Sequence, residues 1–86
     1  MAEQKIGIVT HYFGKIGVAA LKITDGELEV GDTIHIKGHT SDFTQTVDSM
    51  QAEHESVDVA RTGDEIGIKA AEYVREHDSV YRVMPD

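Results

Sequence analysis

Apolar residues in this chain recur at every second position, in runs of four to eight residues separated by glycine–aspartate turn signals. Such a period places side chains on alternate faces of a strand and cannot cover one face of a helix. Ile6 to Phe13 suits a first strand with both faces partly covered, and Gly14-Lys15 forms a short turn before a second strand from Ile16 to Ile23. The apolar phase of that second strand moves from Val18/Ala20 to Leu21/Ile23, which predicts a β-bulge in it. Thr24 to Asp32 is a connection with turn signals at Asp25-Gly26 and Gly31-Asp32, and Leu28 and Val30 are expected to enter the core. A third strand from Thr33 to Lys37 points Ile34 and Ile36 inward.

The second half continues in the same way. A long strand is expected from Phe43 to Gln51, with a bulge near Asp48-Ser49, where Val47 and Met50 break the alternation. Val57, Val59 and Ala60 suit a short fifth strand, Arg61-Thr62-Gly63-Asp64 a tight turn, and Ile66 and Ile68 a sixth strand. Ala70 to Asp78 has the composition of a single helical turn, and Ser79 to Met84 returns as the last strand. No linker, low-complexity segment or internal repeat stands out. Roughly six to seven short strands with regular turns point to a sandwich or a barrel, and closure best removes the unpaired edges. The expected architecture is therefore all-β: one small, closed, Greek-key-like β-barrel domain spanning residues 1–86.

Composition narrows the function. A chain of 86 residues supports one hydrophobic core, and 40% hydrophobic residues suffice to build it. Without cysteine there are no disulfides, thiol nucleophiles or cysteine-ligated zinc sites. The start, Met1-Ala2-Glu3-Gln4-Lys5, lacks the marks of a signal peptide, and the apolar run from Val18 to Leu21 is too short for a bilayer. A cytoplasmic protein without membrane contact is the expectation. Sixteen acidic against eight basic residues give a formal charge of −8, which disfavours phosphate backbones and leaves a protein partner as the expected one.

No local pattern announces catalysis. Ser41, Ser49, Ser56 and Ser79 lack the surroundings of a nucleophile. His35 and His39 are four apart but straddle a strand and Gly38, so they do not make a helical metal pair. Glu53-His54-Glu55 reads as a solvated loop. Tyr12, Phe13, Phe43, Tyr73 and Tyr81 are not interleaved with enough Lys and Arg for a nucleic-acid face, and most suit core or rim packing. No cofactor, metal ligand or catalytic residue is expected.

Three stretches carry a resemblance. Gly26-x-Leu28-x-Val30-Gly31-Asp32-x-Ile34-x-Ile36-x-Gly38, then Val47-x-Ser49-Met50-Gln51, then Val57-x-x-Ala60-x-x-Gly63-Asp64-x-Ile66-Gly67-Ile68 resemble, in order and spacing, the second domain of elongation factor Tu. The resemblance runs from about Ile6 to Val83 and implies the barrel shared by translational GTPases. Gly26, Gly31, Asp32, Gly63 and Asp64 are then turn-makers, needed for positive φ and for side-chain acceptance of backbone N–H groups. No Gly-x-x-x-x-Gly-Lys-Ser/Thr is present, so GTP hydrolysis is not implied. In elongation factors this barrel helps hold the 3′ end of aminoacyl-tRNA, and Gln51 falls at the position of a Glu near the terminal adenosine. By that analogy Gln51, with Met50 beside it, is a candidate contact for an RNA end or a protein partner, and Tyr12 and Phe13, the aromatic pair close to Lys15, are the other candidates. The same barrel type occurs as the C-terminal domain of some collagenase-like U32 peptidases, which this chain is also similar to. Two roles follow: a stand-alone binding module, or an accessory barrel working with a separate enzyme.

Overall fold

The computed structural model describes residues 2–84; Met1 and residues 85–86, part of the expected single domain, lie outside the described residues. Ten strands and no helix are found among them: β1 (Ala2–Phe13), β2 (Val18–Ile23), β3 (Glu27–Glu29), β4 (Thr33–Lys37), β5 (Asp42–Thr46), β6 (Met50–Ala52), β7 (Glu55–Val57), β8 (Val59–Arg61), β9 (Glu65–Lys69) and β10 (Ser79–Met84). Eight form one curled sheet in the order β5-β4-β10-β1-β2-β9-β6-β7, and β3 pairs with β8 in a separate ribbon. All pairings are antiparallel.

The fold is the expected all-β type, with corrections in its detail. The strands are shorter and more numerous than six or seven. The expected strand from Phe43 to Gln51 stops at Thr46 and resumes at Met50, because buried Val47 bonds elsewhere. Val57 to Ala60 divides into β7 and β8, and Leu28 lies in β3 rather than in a connection. Leu28 is fully buried, but Val30 is turned out. No helical turn forms from Ala70 to Asp78, where a tight turn at Arg75–Asp78 takes its place. The bulge expected in β2 belongs to its neighbour: β2 alternates strictly, burying Ala19, Leu21 and Ile23, while β1 slips register between Val9 and His11. The extra residue, Thr10, donates its hydroxyl to the Ala20 carbonyl at 3.2 Å. A second slip between Lys5 and Gly7 bends β1 again where it meets β10.

One turn is built three times, an internal repeat that the hydrophobic pattern alone does not expose. In Glu29–Asp32, Arg61–Asp64 and Arg75–Asp78 the fourth-residue N–H donates to the first-residue carbonyl, at 3.0, 2.9 and 3.2 Å. The aspartate Oδ2 in turn accepts the first residue's N–H at 2.9, 2.9 and 3.0 Å. The third residue has positive φ: Gly31 at 99°, Gly63 at 96° and His77 at 75°. Each turn is then clamped to a buried aliphatic residue of another segment by two more backbone bonds. Gly31, Gly63 and His77 donate to the carbonyls of Val47, Ile23 and Val9, whose N–H groups donate to Asp32, Asp64 and Asp78. The residue before each turn (Leu28, Ala60, Val74) is buried, as is the second after its aspartate (Ile34, Ile66, Val80).

The barrel is sealed by a side chain, not by a continuous ladder. Strands β5 and β6 are consecutive in the chain, yet β5 is one end of the sheet order and β6 stands next to the other end, β7, so residues 47–49 cross the seam covalently. Across it, Gln45 on β5 donates from Nε2 to the Lys69 carbonyl, and its Oε1 accepts the Ala71 N–H, both at 2.7 Å. Its amide stands in for a missing rung of backbone pairing. The core inside is aliphatic, led by Ile6, Leu21, Ile23, Leu28, Ile34 and Ile36, and no buried side-chain N or O among the described residues lacks a partner.

Two stability predictions follow from this. Gln45→Ala removes both seam bonds and should cost about 1–2 kcal/mol in urea unfolding; an unchanged midpoint would mean that the seam needs no side chain. Asp78→Ala should cost about 1.5–3 kcal/mol, more than Asp32→Ala or Asp64→Ala, because Asp78 is the buried one of the three. Thermal denaturation of the three variants side by side checks the order.

Candidate functional site

Outward-facing positions of the curled sheet line up across four strands. His11 of β1 pairs with Ala20 of β2, Ala20 with Gly67 of β9, and Gly67 with Gln51 of β6. The two middle residues are the smallest available, so the row sinks at its centre. On one side rise Phe13 and Ile16, on the other Gln51, Glu53 and His54, and the result is an open groove of about 330 Å³. Val18, Glu65 and Ile66 complete its lining.

Local sequence explains both walls. The β1–β2 hairpin closes by Ile16 and Gly17 N–H groups bonding the Phe13 carbonyl, with Gly17 at φ 67°. That turn presents Ile16 and Phe13, which remain 63% and 46% exposed. The facing wall is the β6–β7 hairpin, whose two-residue tip is Glu53-His54 between the paired Ala52 and Glu55. Both tip residues have positive φ, 51° and 67°. Two-residue hairpins want this conformation, but Asn-Gly adopts it most cheaply, and a side chain with a full Cβ is strained there.

Of the candidate contacts read from the sequence, Gln51 and Phe13 meet at this groove. Met50 does not: it is 1% exposed, turned into the core on the opposite face of β6. Tyr12 lies on the other face of β1 from Phe13 and packs edge-on against Tyr73, ring centroids 4.9 Å apart. Tyr73 is exposed, with the Arg75 guanidinium 5.9 Å from its ring centre. Gly26, at φ 75°, and the two Gly-Asp turns lie away from the groove lining. Ile16, Glu53, His54 and Glu65 also line the groove and carry no contact signal in the alternation pattern; an isoleucine set beside the turn glycine Gly17 is the one sequence feature that marks this wall. Among the described residues, no group of three or more His, Asp or Glu is arranged to hold a metal ion.

An all-β, barrel-like module with a filled aliphatic core and an open outer groove is the class that this geometry defines. The sequence model of Elongation factor Tu domain 2 matches residues 17–76, and the chain belongs to that family. Among curated proteins it is 38% identical over 78 residues, 90% of its length, to an uncharacterized protease of Methanocaldococcus jannaschii and to a collagenase of Porphyromonas gingivalis. The chain spans only 19% and 22% of those two relatives. In fold it matches the C-terminal domain of a Geobacillus thermoleovorans protein assigned to the U32 peptidases, with a TM-score of 0.87 at 19% identity, covering 94% of this chain and 93% of that one.

Elsewhere on the outer face, His35 of β4 is held between two carboxylates. Its Nδ1 lies 2.9 Å from Glu3 of β1, and its Nε2 bonds Asp42 of β5. A neutral imidazole can donate to only one of them, so the pair favours imidazolium. The Asp42 hydrogen bond first, and then that of Glu3, outweighs desolvation and raises the His35 pKa, while His35 holds Asp42 below the usual carboxylate range. With the folded pKa raised, the contribution of His35 is complete below its ordinary value of about 6.5 and is lost as pH climbs through the raised value. Asp42 behaves in the opposite sense: its contribution is present above the ordinary carboxylate range and is lost in acid. The stability advantage of the native chain over His35→Gln should therefore shrink from pH 5.5 to 8.5. An NMR titration placing His35 below the ordinary histidine value would contradict this.

Proposed function

We infer that this domain is a non-catalytic binding barrel that works with a U32-type peptidase unit and takes a polypeptide, not RNA, as its partner. One observation carries the reading. Across nine-tenths of its length the chain is 38% identical to a protease and a collagenase, yet it corresponds to only about a fifth of each. The other four-fifths of those proteins have room for a catalytic unit, and the barrel is the part that accompanies it. An aliphatic core with strands on every side suits a rigid mount for a binding surface.

The translation-factor resemblance offers a second reading, in which the groove beside Gln51 takes an RNA 3′ end. Charge weighs against it. The acidic lining residues of the groove are Glu53 and Glu65, no lysine or arginine lines it, and the chain has a formal charge of −8. Neither carboxylate is ion-paired among the described residues. A phosphodiester would meet repulsion there.

The purified chain should leave gelatin uncut. The Porphyromonas gingivalis collagenase, deprived of its matching segment, should lose at least about tenfold in gelatin hydrolysis, and this chain fused in that place should restore most of it. Cleavage by the isolated chain, or an undiminished truncated collagenase, would sink the accessory reading. Saturable binding of tRNA at low salt would favour the translation-factor one instead.

A further inference from the structure

We propose that the groove between the β1–β2 and β6–β7 hairpins is a docking slot for an extended polypeptide segment in which an apolar side chain alternates with lysine or arginine. The apolar side chain would enter beside Phe13 and Ile16, over the floor of Ala20 and Gly67, and the cationic one would meet Glu53 and Glu65. The inference goes beyond the accessory role, since it fixes the surface and the chemistry of its occupant whether or not a peptidase accompanies the chain.

Three independent features support the slot. First, the most exposed apolar side chain of the β1–β2 turn, Ile16, has no folding reason to stand at the groove edge, and Phe13 beside it is nearly half exposed. Second, the β9 position that repeats outward-facing His35 of β4 is Gly67, paired with Ala20. The floor is therefore lower where the sister strand carries a large side chain, and Val18 packs close beside it: a Cβ at Gly67 would meet Val18 Cγ1 at 3.3 Å. Third, the β6–β7 tip places Glu53 and His54 in a left-handed conformation that Asn-Gly would adopt with less strain. Those two strained residues both line the groove. Strain held at a hairpin tip whose side chains face a cavity marks a surface kept for binding rather than for stability.

Charge selects the occupant. No lysine or arginine lines the groove, and its two carboxylates have no ion-pair partner among the described residues. An acidic peptide or an RNA end would place like charges together, whereas a lysine-bearing strand supplies the missing counter-charge. Salt should weaken such binding, because the pairing is exposed.

The test uses the isolated chain and fluorescein-labelled hexapeptides read by anisotropy. A peptide alternating leucine with lysine should bind at least about tenfold more tightly than its leucine–glutamate and serine–lysine counterparts, and more tightly than a single-stranded RNA hexamer. Amide shifts of Ala20, Gly67 and Gln51 on titration should place it in the groove. Ile16→Ser, at an exposed turn position, should weaken binding at least about fivefold with the melting temperature unchanged. The double variant Glu53→Asn/His54→Gly should move two readouts in opposite directions: weaker peptide binding and a melting temperature higher by roughly 4–8 °C. Equal binding of the glutamate peptide or the RNA, shifts confined to another face, or a lower melting temperature for the double variant would each overturn the proposal. These readouts involve no proteolysis, so failure here is distinguishable from failure of the accessory reading.

Discussion

An aspartate carboxylate accepting a backbone N–H three residues before it is the interaction on which this structure turns. It fixes the four-residue bend at Glu29–Asp32, Arg61–Asp64 and Arg75–Asp78. A charged acceptor strengthens that bond over an uncharged one, most at Asp78, which is buried, and less at Asp32 and Asp64, whose bonds are exposed to solvent. The bend delivers the chain into β4, β9 and β10, three strands of the main sheet. Since each bend also exchanges two bonds with Val47, Ile23 or Val9, it docks as it folds. A single chemical device thereby sets both where a strand begins and which distant segment it crosses.

Using the device three times explains how so short a chain curls its sheet without a complete ladder. Each clamp binds a buried residue lying between or within other strands, so the turns act as staples across the barrel wall. The seam between β5 and β9 needs less as a result, and a single glutamine amide bridges it. The sheet remains formally open, with β5 and β7 as its ends. Strand β5 carries Asp42 at its start and β7 Glu55, charged residues of the kind that discourage edge-to-edge association.

How much of this was legible beforehand depends on how local each signal is. Period-two alternation reported the strands around Ile34/Ile36 and Ile66/Ile68 correctly, since each is buried on one face only. Gly31-Asp32 and Gly63-Asp64 read as turns because glycine advertises positive φ. The third copy stayed hidden: His77 occupies the glycine position at φ 75°, and nothing in a histidine signals that. The composition of its segment suits a helical turn instead. The apparent phase change in β2 is not a bulge: Val18 and Ala20 are apolar residues on its outer face, where they line the groove, while the real register slip lies in β1. Of the groove, Gln51 is legible through resemblance and Phe13 as an aromatic close to Lys15. Ile16 and the Glu53-His54 tip are not, since exposure and left-handed backbone are properties of the assembled hairpins.

The repeat also separates what folding demands from what it leaves free. Inward positions of the two best-matched copies agree closely: Leu28 with Ala60, Ile34 with Ile66, Ile36 with Ile68, all buried. Outward positions need only avoid unfavourable exposure, and there the copies diverge. His35 on β4 gathers Glu3 and Asp42 and ties three strands together at their outer surface. Gly67 on β9 makes no such tie; the Val18 side chain approaches it closely, and a depression remains between two hairpins. Had both copies carried a large polar residue, the outer wall would be braced throughout and flat. Leaving one unbraced gives the barrel a concave surface while Ile66 and Ile68 still fill the core, because the side chain that glycine lacks would have stood on the outer face of the strand.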